Sequence, residues 1–148
     1  MLLVPSEPIH VDRAPIAAAM RRGRITADVV TPLTAIVDEL RRMDDQAGGG
    51  RVLPLVQPQI DTVTAMLDRG SYTSGVGVQL HQALADVTQL AGWAAHDAGR
   101  RRAARRYFAA SLYAAHAAGD QLLAVHTMSA IGFALVDQGD PDTALRVL

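Results

Sequence analysis

Apolar residues recur every three or four positions along most of this chain, and that period belongs to helices. From about Thr26, the residues Val29, Leu33, Ile36, Val37, Leu40 and Met43 share one face, and the run DDQAGGG, with its three glycines, stops the helix. Pro32 offers a second possible start, in the first turn behind a Thr31 cap. A second helix carries Pro54 and Pro58 early and Val56, Ile60, Val63 and Leu67 on one face, closing at Arg69-Gly70. SYTSGVG reads as the next joint. The spacing then predicts a third helix from about Val78 to Ala98, with Leu80, Leu84, Val87 and Ala91 inward and Gly99 as its stop. A fourth runs from Arg101 to Ala117, ending at Gly119-Asp120. A fifth, Gln121 to Gln138, carries Leu122, Val125, Met128, Gly132 and Leu135, and stops at Gly139. A sixth begins at Pro141 with Asp140 as its cap. No stretch alternates apolar and polar residues, so the expected fold is all-α with five to six helices. Ahead of them, Met1 to Arg24 carries Pro5, Pro8 and Pro15, and only IAAAMRRG looks helical. Residues 1–25 therefore read as an arm or linker and 26–148 as the domain.

One pattern occurs twice. AGWAAHDAG, Ala91 to Gly99, returns forty residues later as IGFALVDQG, Ile131 to Gly139. That offset aligns Gly92 with Gly132, Ala94 with Ala134, Asp97 with Asp137, Gly99 with Gly139, Ala104 with Ala144 and Arg106 with Arg146, more than chance gives in an alanine-rich chain. The shared residues are packing devices. Gly92 and Gly132 let a neighbouring helix approach closely, Gly99 and Gly139 supply a left-handed turn, and Ala104 and Ala144 keep the facing helix thin.

Gly92, Gly99, Ala104, Phe108 and Leu112 resemble the spacing of the tetratricopeptide repeat, and Gly132, Gly139 and Ala144 repeat its first part. Thr88 stands where that repeat has tryptophan, Ala95 where it has tyrosine, and the period is forty rather than thirty-four. A broader resemblance runs from about Arg22 to the end. RMDDQAGGG, the LAGW and DAGR blocks and GDPDTALRVL are similar to the C-terminal region of actinobacterial helix-turn-helix transcriptional regulators, which join a DNA-binding domain to a tetratricopeptide-like sensory half. Nothing before Thr26 reads as that DNA-binding domain, so the chain alone is expected not to bind DNA directly. The resemblance implies helical hairpin repeats stacked in an α-α superhelix, with the first helix of each unit lining a concave face. Asp86, Gln89, Trp93, His96 and Asp97 would face it from one unit, and His126, Ser129, Phe133, Val136 and Asp137 from the next. A protein or peptide partner, or a small-molecule ligand, would bind there. The plain alternative is that Trp93 packs against the preceding helix. Because the last helix reaches only Leu148, an incomplete C-terminal end is expected, with an uncovered face near Met128, Leu135 and Val136 and self-association into a homo-oligomer.

Composition narrows the chemistry. All 148 residues include no cysteine, which excludes disulfides, thiolate metal sites and a cysteine nucleophile. No run approaches the roughly 20 apolar residues of a membrane span, and no basic start leads an apolar core, so a soluble, cytoplasmic chain is expected. All fourteen basic residues are arginine, and the net charge is -1, so nucleic acid would need a local patch. The one dense cluster is Arg101, Arg102, Arg105 and Arg106, beside Arg100 at a helix N-terminus, a candidate anion patch or simply a solvated face. His10, His81, His96, His116 and His126 offer no i, i+4 metal pair and no HExxH motif, Gly75-Val76-Gly77 is too short for a phosphate loop, and no serine sits in a nucleophile elbow. The expectation is a non-catalytic domain with no cofactor, working as the interaction or sensing part of a regulator. The alternative is a free-standing adaptor or dimerisation partner of a full-length regulator.

Overall fold

The computed structural model of the protein describes residues 11–148. Among them are seven α-helices and no strand: α1 (Ala14–Arg22), α2 (Val30–Ala47), α3 (Gly49–Arg69), α4 (Ser74–Asp97), α5 (Arg101–Ala118), α6 (Gln121–Asp137) and α7 (Pro141–Val147), with a 3-10 turn at Ala27–Val29 before α2. The fold is all-α, with one helix more than expected, because α1 falls in the stretch read as an arm. Pro15 stands in its first turn, Gly23 (φ 66°) ends it, and it buries Ile16 and Ala19 in the same core as Ile25 and Val29. His10, with Pro5 and Pro8, lies outside the described residues.

Gly48 (φ 79°) ends α2, and α3 starts at the very next residue. The three glycines thus do different work. Gly49 is buried against α4, where a Cβ would collide with the Ala94 backbone, while Gly50 faces open space. Pro54 and Pro58 stand inside α3 on its exposed side, where water serves the carbonyls that lose a donor. α4 begins at Ser74, capped by the Thr73 hydroxyl, which accepts from the Val76 N–H at 3.3 Å. Gly75 and Gly77 are therefore the first turn of a helix and not part of a joint.

α4 is the axis of the molecule. It contacts α3 and α2, which precede it, and α5 and α6, which follow. The longest contact, α4 on α5, closes where Gly92 meets the ring of buried Phe108. The contact recurs forty residues on, where Gly132 meets the side chain of Leu148. Three turns share one hydrogen-bond pattern. Gly99, Gly119 and Gly139 each have φ near +70° to +80°, each N–H bonds to the carbonyl three residues back (His96, His116, Val136), and the following N–H reaches five back (Ala95, Ala115, Leu135). Buried hydroxyls join the helices between these turns. Fully buried Ser111 of α5 reaches the Ala85 carbonyl of α4 at 2.8 Å and the hydroxyl of fully buried Thr127 of α6 at 3.0 Å.

In α6 the sequence misleads about direction. Leu122 and Val125, among the residues whose spacing marks the helix, are exposed, and the helix buries Ala124, Thr127, Ala130, Gly132, Ala134 and Leu135. Of the face expected to be uncovered, Val136 is exposed, Met128 is half-buried and Leu135 is buried. Small side chains are chosen inward because α4 and α5 approach closely; the helix is apolar all round, so its periodicity names no inward face.

Candidate binding groove

α4 presents Asp86, Gln89, Trp93 and His96 on one face, since these positions step by three and four residues, and Asp97, four residues after Trp93, stands at the other edge of that face from its neighbour His96. Trp93 is half-buried among three rings: Phe108 from α5 (centroids 5.5 Å apart), His96 (5.8 Å) and Phe133 from α6 (5.6 Å), all edge-on, the favoured arrangement for aromatic pairs. The ring partners of Trp93 thus come from its own helix and the two that follow, and not from the preceding helix. One edge packs on Phe108, and the other borders a cavity of about 370 Å³ lined by Arg41, Asp44, Asp45, Gln89, Leu90, Trp93 and Asp97.

His96 is tied to the C-terminal end of α6. Its Nε2 lies 3.1 Å from Asp137 Oδ2, and its Nδ1 lies 3.5 Å from the Gln138 amide nitrogen. Its partner is therefore the repeat equivalent of its sequence neighbour Asp97. Asp97 instead lines the same cavity as Asp44. Burial pushes the Asp44 carboxyl above the usual carboxylate range, with repulsion from Asp97 and then Asp45 adding to it, and Asp44 Oδ1 is buried without a hydrogen-bond partner. Gln89 donates to the Thr127 hydroxyl at 3.4 Å, fixing the groove wall to the buried Ser111 network.

Asp86 and His126 belong to a neighbouring cavity of about 350 Å³, with Gln82, Asp120, Leu122 and Leu123 among its walls. Asp86 accepts from Arg41 at 3.2 Å, yet burial wins over that ion pair and its carboxyl is raised. Ser129 and Val136 do not join the constellation. They are exposed, and by helical geometry stand about 80° and 100° round α6 from Asp137. The structure thus gathers Gln89, Trp93, His96, Asp97, Phe133 and Asp137, sets Asp86 and His126 beside them, and turns Ser129 and Val136 away.

Arg41, Asp44 and Asp45 were not foreseen as groove residues. They stand on the last turns of α2, forty or more residues from the motif, and only the helical period that runs through Leu40 and Met43 hinted which side of α2 faces α4. Arg101, Arg102, Arg105 and Arg106 are exposed along the first two turns of α5, a helix with no side-chain cap at its N-terminus, and Arg105 borders a separate apolar cleft with Phe108, Leu112, Ile131 and Gln138. Among the described residues no three His, Asp or Glu side chains are grouped to hold a metal ion, and no helix is long and apolar enough to cross a membrane. Comparison of the chain with family models, with curated proteins and with solved structures finds no match.

Proposed function

We propose that this chain is a non-catalytic, tetratricopeptide-like interaction or ligand-sensing domain of a transcriptional regulator, and that its working surface is the groove between α2, α4 and α6. The observation that carries this reading is Trp93. It stands in edge contact with Phe133 of the following unit while facing a cavity walled by Asp44, Asp45 and Asp97. Three carboxylates on one wall suit a cationic partner, an arginine- or lysine-bearing peptide or a small organic cation, because they attract it together. A cation seated between Asp44 and Asp97 would also relieve the repulsion and the unpartnered oxygen recorded there. The repeat reading draws support from the two Gly-on-side-chain contacts forty residues apart and from the shared turn geometry.

Trp93 is the only tryptophan, so its fluorescence reports on the groove. Titration with an arginine-bearing peptide and with quaternary ammonium compounds is expected to give a saturable change, lost in Asp44→Asn combined with Asp97→Asn. No response to either class, from a protein whose melt shows it folded, would overturn the reading. The adaptor or dimerisation-partner reading is favoured by a different observation, the apolar outward face of α6.

A further inference from the structure

α6 has the composition of a buried helix in a position where half of it is not buried. Its seventeen residues carry one formal charge, Asp137 at the last position. Helices apolar on every side are normally enclosed. Here α4, α5 and α7 cover one side only. On the other, Leu122, Val125, Phe133 and Val136 are between 55% and 72% exposed. With Ser129, also exposed, they form a single stripe.

The spacing of that stripe identifies what covers it. Positions 122, 125, 129, 133 and 136 are separated by three, four, four and three residues, so the pattern reads the same in both directions about Ser129. An antiparallel copy of the same helix brings Val125 level with Phe133 of the second copy, Leu122 level with Val136, and Ser129 level with itself. This is the self-complementarity that a two-fold interface requires, where one patch meets its own image. Ser129 is small enough for the helices to cross closely at the axis, and its hydroxyl is already spent on the Val125 carbonyl at 3.0 Å, so burying it leaves no donor unpaired. No charged side chain lies within the stripe to repel its counterpart.

The area fits a weak, concentration-dependent pairing. Leu122, Val125, Phe133 and Val136 together expose on the order of 400 Å², comparable to the largest patch of a typical monomer and about half of what each partner gives to a standard interface. Leu148 lies over Gly132 and is itself 70% exposed. We propose that α6 is a self-association surface, and that two copies of this chain pair through Leu122, Val125, Ser129, Phe133 and Val136 about a two-fold axis at Ser129. Phe133 belongs to both surfaces, with its ring against Trp93 and most of it exposed, but the proposal does not rest on what the groove binds.

Light scattering coupled to size exclusion, from micromolar to hundreds of micromolar protein, is expected to show twice the chain mass at the upper end. Ser129→Arg and Val125→Arg should restore the single mass with helicity unchanged, because both positions are exposed in the monomer. The chain has no cysteine, so Ser129→Cys introduces a lone thiol at the axis. A short bismaleimide should link two copies of it at least an order of magnitude faster than it links Ala110→Cys, on the exposed side of α5. A monomer throughout the range overturns the proposal. So does association that survives Ser129→Arg and is lost in Leu145→Glu combined with Leu148→Glu, since that places the contact on α7. Equal cross-linking of the two cysteine variants overturns the two-fold geometry even if the arginine variants fail to fold.

Discussion

A Cβ at position 92 would stand 2.5 Å from the Phe108 ring, and Phe108 is only 2% exposed, so neither side can yield. Gly92→Val is expected to lower stability by about 2–3 kcal/mol through overpacking. At the equivalent Gly132 the neighbour is the exposed side chain of Leu148, met at 2.9 Å and free to swing outward, so Gly132→Val should cost under about 1 kcal/mol. Denaturant melts that give both variants the same loss would contradict this asymmetry. Gly49 and Gly50 make a second contrast: Gly49→Ala forces α3 off the α4 backbone, whereas Gly50→Ala meets nothing and gains helix propensity. Asp44 supplies a prediction with a pH sign. Its carboxyl titrates higher in the folded chain than in the unfolded one, so the folded state holds the proton more tightly and the ionised group opposes folding at neutral pH. Asp44→Asn should therefore raise the melting temperature at pH 7. That gain should shrink as pH falls through the raised pKa, and a gain that persists unchanged below pH 3 would contradict the assignment.

Among the elements, the turns repeat every twenty residues at Gly99, Gly119 and Gly139, and a capping aspartate follows each of the last two. Asp120 accepts from the Leu123 N–H at 3.0 Å, and this bond, helped by Gln82, holds its carboxyl below the usual range. Asp140 is lowered in the same way by Thr143, through side chain and backbone. Groups depressed on folding stabilise the fold above their unfolded pKa and lose that contribution as pH falls through the folded value. The fold should thus weaken on its acid side below about pH 4, and Asp120→Asn, which keeps an acceptor but no titrating charge, should make that acid limb shallower. The joint between α4, α5 and α6 rests on Ser111 and Thr127. Thr127→Val keeps the shape and removes the hydroxyl that Ser111 and Gln89 address, and is expected to cost about 1–2 kcal/mol in a denaturant melt. A neutral result would mean that the buried hydroxyls do not fix the docking of α6.

On the scale of the whole molecule, the net charge of -1 gives no field to gather nucleic acid, and the exposed arginines of α5 lie on one short stretch of one helix. In a gel-shift assay at physiological salt the chain alone should show no tight, sequence-specific binding, and a nanomolar specific shift would defeat that expectation. The cavity beside Trp93 is lined by α2 and α4, with Phe133 of α6 against the ring, and the placement of these helices rests on contacts directly behind it: Gly49 on Ala94, Gly92 on Phe108 and the Ser111 joint. Substitutions at those contacts should thus alter Trp93 fluorescence as well as stability.

The sequence by itself determined the helical class and, of the seven helices among the described residues, five nearly to the residue at their C-terminal ends. Those features are local. A left-handed glycine, a proline in a first turn or an aspartate cap acts on its own neighbours, so its effect can be read from a short window. The candidate groove residues on α4 and α6 came from the tetratricopeptide resemblance, and helical spacing by itself puts only Gln89, Trp93 and His96 together in steps of four and three. Other assignments needed the tertiary structure. It anchored α1 in the core, gave His96 the distant Asp137 as partner, brought Arg41, Asp44 and Asp45 to Trp93, and turned Leu122 and Val125 of α6 outward. Each of these depends on which of several chemically acceptable faces meets a neighbour. A helix apolar all round has no preferred inward side until close packing selects its alanines, and a carboxylate has no preferred partner until the helix carrying that partner is docked.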